Sequence, residues 1–205
     1  MKLYGHPLST CTRKVLMTAA EKAAPIELVA IDLLAGAHKA PDHLARHPFG
    51  VIPVLDDDGF VLYESRAIVR YLDGRLAGAS LVPAAPRPRA RMDQWLSVDQ
   101  SYVAPHLRTL IGQRIVGKHL GRAPDVAATD EAERALVHAF TAIDRALRAD
   151  RYLAGETFSL ADISLLPYIA ALPAVEASHT IGGLGNLQRW WDEVSARPAW
   201  LRAST

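Results

Sequence analysis

The sequence predicts an α/β domain followed by an all-helical one, and three observations carry that expectation. Residues 1–77 alternate short β patterns with helical ones, in the order β-α-β and then β-β-α. A Gly-, Ala-, Ser- and Pro-rich stretch from Gly78 (GASLVPAAPRP) then interrupts every periodicity. After Arg89 no strand pattern is found, and long helical patterns take over. The expected division is a mixed-sheet domain over 1–77, a linker over 78–88 and a helical domain over 89–205.

Each element has its own signal. KLYG (Lys2 to Gly5) and IELVAIDL (Ile26 to Leu33) read as strands, the second rich in branched residues. Between them TRKVLMTAAEK places Val15, Leu16, Ala19 and Ala20 at helical spacing. A helix between two strands makes a βαβ unit, so those strands should be parallel. VIPVLDDDGFVLYES then gives a strand, a turn at Asp58-Gly59 and a second strand, which is a hairpin. Ser65 is read as the N-cap of the next helix, with Ile68, Leu72 and Leu76 on one side. The segment between the second strand and the hairpin carries no clear pattern. In the second half, helical patterns cover Ala90 to Val116, Asp130 to Ala149, Leu160 to Leu172 and Leu187 to Ala196.

Composition narrows the functional classes. Of 205 residues, half are hydrophobic and about a fifth charged, the balance of a soluble chain with a proper core. A formal charge of +1 gives no electrostatic reason to expect nucleic acid or an anionic membrane as partner. The single cysteine, Cys11, forbids an intrachain disulfide, and no Cys or His spacing suggests a zinc site. His6, His43, His106, His119, His138 and His179 therefore read as surface or packing residues. No apolar run approaches the roughly 20 residues of a membrane span, and strand-like KLYG stands where a signal peptide would. The expected location is the cytosol, with the thiol reduced.

Three stretches could carry chemistry. In HPLSTCTRKV a helix begins near Cys11, so Ser9 or Thr10 caps it and its N–H groups face whatever lies there. A hydroxyl and a helix N-terminus both stabilise a thiolate. At Ile52-Pro53 a proline opens a strand, and a cis bond in that turn would leave the Ile52 N–H and C=O to pair with an extended peptide ligand. At Glu64-Ser65 a helix N-terminus offers an anion site beside a carboxylate, the pair of charges that holds an α-amino acid. SLADIS, from Ser159, matches a capping box and reads as structural, with Asp162 reaching back to Ser159. Trp190, Trp191 and Trp200 read as core and terminal docking.

Taken together, LYGHPLSTCTRKVL, GAHK, HPFGVIPVL, ESRAIVRYL, YLAGETFSLADIS and WWDEVSARPAW resemble segments of a glutathione S-transferase, in order and over essentially the whole chain. GHPLST with GAHK and PFG-x-[IV]-P is similar to the phi class or a bacterial relative of it. The S-x-C spacing of Ser9 and Cys11 resembles the zeta class. The resemblance implies a thioredoxin-like N-terminal domain, an all-helical C-terminal domain that contributes the acceptor pocket, and a homodimer. It implies that Ser9 hydrogen-bonds the glutathione sulfur and that His38 and Lys39 hold the glycine carboxylate. It further implies that Ile52, before a cis Pro53, pairs with the cysteinyl backbone, and that Glu64 and Ser65 hold the γ-glutamyl head. Val51 stands where phi members usually carry glutamine, and His47 where asparagine is frequent.

Three functions follow from these residues. The first is a transferase that activates glutathione, its co-substrate, through Ser9 and conjugates it to a small hydrophobic electrophile. The second is a thiol-transfer or deglutathionylating oxidoreductase in which Cys11 forms a mixed disulfide with glutathione. The third is a non-catalytic protein of the same fold that binds ligands. No metal is called for in any of them.

Overall fold

The computed structural model describes residues 1–204. They divide into two compact units, Met1–Val82 together with the residues from Ala196 on, and Pro83–Ser195.

In the first unit, strands β1 (Lys2–Gly5), β2 (Glu27–Ala30), β3 (Val54–Asp57) and β4 (Phe60–Tyr63) form one sheet in the order β2-β1-β3-β4. β1 and β2 are parallel, as the intervening helix α1 (Thr10–Glu21) requires. β2 stops sooner than its branched residues suggest. Asp32 accepts the N–H groups of Leu34 and Ala35, and that turn takes the backbone out of the strand. β3 and β4 form the expected hairpin. Its turn has φ of 52° at Asp58 and 92° at Gly59, with the Gly59 N–H donating to Asp56, so the second position needs glycine. Helix α1 packs against α3 (Ser65–Arg75) and against the last helix, α10 (Pro198–Ser204). Leu3, Val15, Met17, Val54, Leu55, Ile68 and Leu72 are fully buried between sheet and helices. Each such side chain stabilises the fold by roughly 1.5–3 kcal/mol.

The segment without a clear pattern holds a single 3₁₀ turn (Ala37–Lys39) and a short helix α2 (Pro41–Arg46) that begins on a proline. Residues 79–81, the start of the expected linker, are pinned to this unit. Lys22 Nζ lies 2.6 Å from Asp73 Oδ1 and 2.7 Å from the Ala79 carbonyl, while Leu81 N–H and the Ser80 hydroxyl donate to the same carboxylate. Burial alone would raise the Asp73 carboxyl. The hydrogen bonds from Lys22, Leu81 and Ser80 outweigh it and hold the carboxyl below its ordinary range. A depressed carboxylate contributes stability above its unfolded value near about 4, and that contribution is lost as pH falls through the lower folded value. Asp73→Asn, which keeps two of the hydrogen bonds but strands the Lys22 charge, is expected to cost about 2 kcal/mol in urea unfolding at neutral pH. The difference from the parent chain should shrink in acid.

In the second unit the long pattern from Ala90 becomes a broken run. Helix α4 (Pro86–Val98) passes into a wide π turn (Asp99–Val103), then α5 (Ala104–Ile111), a second wide turn (Gly112–Val116) and the single turn α6 (Gly117–His119). Pro105 lies in the first turn of α5. A proline has no N–H and collides with the carbonyl four residues back, so the chain widens just before it rather than bending sharply. Helices α7 (Val126–Leu147), α8 (Leu160–Ala171) and α9 (Gly185–Ser195) complete the unit around Met92, Leu107, Leu136, Phe140, Leu166 and Trp190. No helix among the described residues is long and apolar enough to cross a membrane.

Candidate functional site

The register of the sheet decides which residues meet. Tyr4, one residue before the end of β1, pairs with Val54, the first residue of β3, and Val54 pairs with Tyr63, the last of β4. Gly5 pairs with Ala30, the last of β2. The segments carrying Ser9 and Cys11, His38 and Lys39, Ile52 and Pro53, and Glu64 and Ser65 therefore all leave or enter the sheet at one end. Helices α1 and α3 both start there, which directs two positive helix ends at the same region.

Ser9 is the N-cap of α1, with extended backbone, and its Oγ accepts the Thr12 N–H at 3.3 Å. That bond uses an oxygen lone pair. The hydroxyl proton of Ser9 is left to donate elsewhere, and accepting a bond strengthens the donor. Cys11 is half-buried in the same first turn. Thr12 is fully buried and accepts the His6 N–H, so it serves the fold.

The Ile52-Pro53 bond is cis. Before it, Gly50 has φ of 57°, and a Cβ there would lie 2.9 Å from the His38 carbonyl, the Leu44 side chain and the Lys39 stem. Only glycine fits so tight an approach in that conformation. Lys39 Nζ donates to the Phe49 carbonyl at 3.0 Å from an exposed position. His38 is half-buried. Burial, then the charges of Lys39 and His43, push its imidazolium below the ordinary range, so Lys39 rather than His38 supplies positive charge here at neutral pH.

The structure corrects one reading. Ser65 is not the cap of α3 but its first residue, buried at 3 % exposure, and Glu64 is the flanking position. Glu64 turns the chain with φ of 70°, an uncommon conformation for a residue with a side chain, and makes no side-chain cap bond. Glu64 therefore does not cap the first-turn N–H groups of α3, and a helix N-terminus of this kind favours an anion.

Two histidines here had no role in the sequence reading beyond packing or substitution. His43 and His47, four apart in HLARH, lie on one side of α2 and its end, with ring centroids 6.4 Å apart; His47 stacks on Tyr63 at 4.5 Å. Both are buried, and both Nδ1 atoms have no hydrogen-bond partner. Burial pushes the His47 imidazolium down, the Glu64 carboxylate pulls it up, and His43 and Lys39 lower it further. A histidine lowered in the fold stabilises above its unfolded value near 6.5, and that stability is lost as pH falls through the lower folded value. His47→Asn should flatten the fall in urea midpoint as pH drops below about 6.5, compared with the parent chain. An unchanged slope would count against the shift. No group of three or more His, Cys, Asp or Glu that could hold a metal occurs among the described residues.

Comparison with known proteins identifies the family. Residues 1–74 match the family model for the glutathione S-transferase N-terminal domain, and residues 95–198 the one for the C-terminal domain. The chain is 34% identical to glutathione S-transferase F12 of Arabidopsis thaliana, covering 98% of this chain and 96% of that one. It is 37% identical to glutathione S-transferase 3 of Zea mays, covering 98% and 92%. The crystal structure of glutathione transferase F7 from Populus trichocarpa superposes with a TM-score of 0.91 at 34% identity, covering 99% and 97%. A glutathione S-transferase-I bound with lactoylglutathione is also similar, with a TM-score of 0.89 at 28% identity over 99% and 97%. The four-stranded mixed sheet is accordingly the thioredoxin-like one expected from the resemblance, and the chain belongs to the glutathione S-transferase family.

Proposed function

We propose that the protein binds glutathione at the end of its sheet, holds the thiol as thiolate and conjugates it to a small hydrophobic electrophile. The observation that carries this is Ser9: its oxygen is engaged by the Thr12 N–H, and its hydroxyl proton remains available at a helix N-terminus. The γ-glutamyl head would lie at Glu64 and the α3 N-terminus, the cysteinyl backbone at Ile52 before Pro53, and the glycine carboxylate at Lys39 with His38. The thiol proton leaves to solvent, Ser9 donates to the sulfur anion, and the sulfur forms a bond to the electrophilic carbon as its leaving group departs. The acceptor pocket would be contributed by the helical half, spanning 89–205 after a linker at 78–88. A cytosolic homodimer completes the proposal, on the strength of the family resemblance.

A second function has one observation in its favour: Cys11 is half-buried in the same first turn, two residues after Ser9. There it would attack a glutathione disulfide, forming a mixed disulfide and releasing a thiolate. The ultraviolet absorbance of bound glutathione thiolate against pH separates the two. A midpoint well below the free-thiol value of about 8.5 is expected for the conjugating enzyme. An unshifted midpoint, with disulfide exchange lost in Cys11→Ala, would favour the other.

A further inference from the structure

We infer that His43 is a positioning residue for glutathione recognition, fixing the Val51–Ile52 peptide plane and so aiming the Ile52 N–H at the cysteinyl backbone. This role rests on the glutathione site proposed above.

His43 Nε2 lies 2.8 Å from the Val51 carbonyl oxygen. A carbonyl only accepts, so Nε2 carries the proton and donates. The Val51 C=O and the Ile52 N–H belong to one planar peptide unit, and among the described residues only Ile52-Pro53 is cis. In a trans unit the two groups point in opposite directions. Holding the oxygen toward α2 therefore turns the Ile52 N–H away from α2, and that N–H has no acceptor among the described residues. Donation to the oxygen also polarises the unit and makes the N–H a stronger donor.

Neighbouring bonds brace the same segment. Lys39 holds the Phe49 carbonyl at 3.0 Å, and Gly50 N–H donates to the His47 carbonyl at 2.8 Å. The Lys39 bond is exposed and the Gly50 bond is local. Among the described residues only the part-buried His43 bond acts on the peptide that carries the Ile52 N–H. The His43 ring is itself fixed, being 3 % exposed and stacked through His47 onto Tyr63, the residue before Glu64. Where Val51 offers no polar side chain, its backbone becomes the point at which recognition is tuned.

The test is calorimetric binding of S-methylglutathione, which has no free thiol and so reads recognition apart from thiol activation. It is paired with steady-state kinetics in glutathione. His43→Phe keeps ring bulk without a donor, and His43→Gln restores an N–H. His43→Phe should weaken S-methylglutathione binding and raise the glutathione KM about five- to tenfold, with kcat within about twofold, as expected for one lost hydrogen bond. His43→Gln should recover most of that loss. His43→Leu is the donor-free comparison should the phenylalanine variant not fold. Unaltered affinity in a folded donor-free variant overturns the role, as does a glutamine variant no better than it. A parent chain that binds no S-methylglutathione instead removes the glutathione site, and this role with it.

Discussion

Asp162→Ala is expected to unfold in urea about 4 kcal/mol more easily than the parent chain, because it strands several buried hydrogen-bond donors at once. The carboxylate is fully buried at the start of α8 and collects hydrogen bonds from three places. Ser159 donates to Oδ2 through its N–H at 2.9 Å and its hydroxyl at 3.1 Å. The Leu153 N–H at 3.0 Å and Trp190 Nε1 at 2.8 Å donate to Oδ1. Removing the carboxylate leaves those donors in a dry interior and opens a void beneath α9. It also abolishes half of a capping box whose other half is the Ser159 side chain accepting the backbone N–H of residue 162. Asp162→Asn, which keeps one carbonyl acceptor but turns an acceptor into a donor, should fall between. Tryptophan fluorescence through a urea titration reads all three proteins, since Trp190 is the partner. A loss below about 1 kcal/mol in Asp162→Ala would mean that the loop at Leu153 relaxes to satisfy the donors another way.

Ser9→Ala is expected to return the thiol of bound glutathione toward its free value. Lowering a thiol from about 8.5 by two units takes roughly 2.7 kcal/mol of preference for the thiolate. A donated hydroxyl bond plus helix N–H groups can supply that. Without the hydroxyl, conjugation near pH 7 should fall between about tenfold and a hundredfold, and recover as pH rises and the thiol ionises unaided. Cys11→Ala should leave both quantities unchanged. Ser9 also caps α1, so the alanine variant loses about 1 kcal/mol of stability for an unrelated reason. Ser9→Gly separates the roles, because glycine caps almost as well but carries no hydroxyl. It should melt close to the parent and still show the unshifted thiol. A glycine variant with a low midpoint would move thiol activation from Ser9 to the helix end.

What the sequence revealed was the local chemistry. The hairpin was legible because Asp58-Gly59 is a turn dipeptide whose backbone demands are met by those two residue types. The capping box at Ser159 and the cap at Ser9 were legible for the same reason: side chain and backbone lie within three residues of one another. Ser65 was misplaced because Glu64, an ordinary residue by type, adopts φ of 70°, and such a conformation is imposed by packing rather than by its own preferences. The turn at His38 and helix α2 were missed because three and six residues are too few to show a period. His43 could have been flagged only by its spacing from His47, since the carbonyl it holds belongs to a loop eight residues away. The break at Asp99–Val103 comes just before Pro105, so the proline marks its place, while the form it takes, a widened turn, depends on the packing around it.

The Asp58-Gly59 turn lies at the opposite end of the sheet from Ser9, yet it governs the spacing of the candidate site. The hairpin is a ruler: its turn sets which residue of β4 faces which of β3, and hence where Ile52 and Glu64 stop relative to one another. A slip of one position would carry one of them about 3.3 Å along its strand and turn its side chain to the other face. The distance between the seat for a peptide backbone and the seat for an α-amino acid is thus inherited from a tight turn that touches neither.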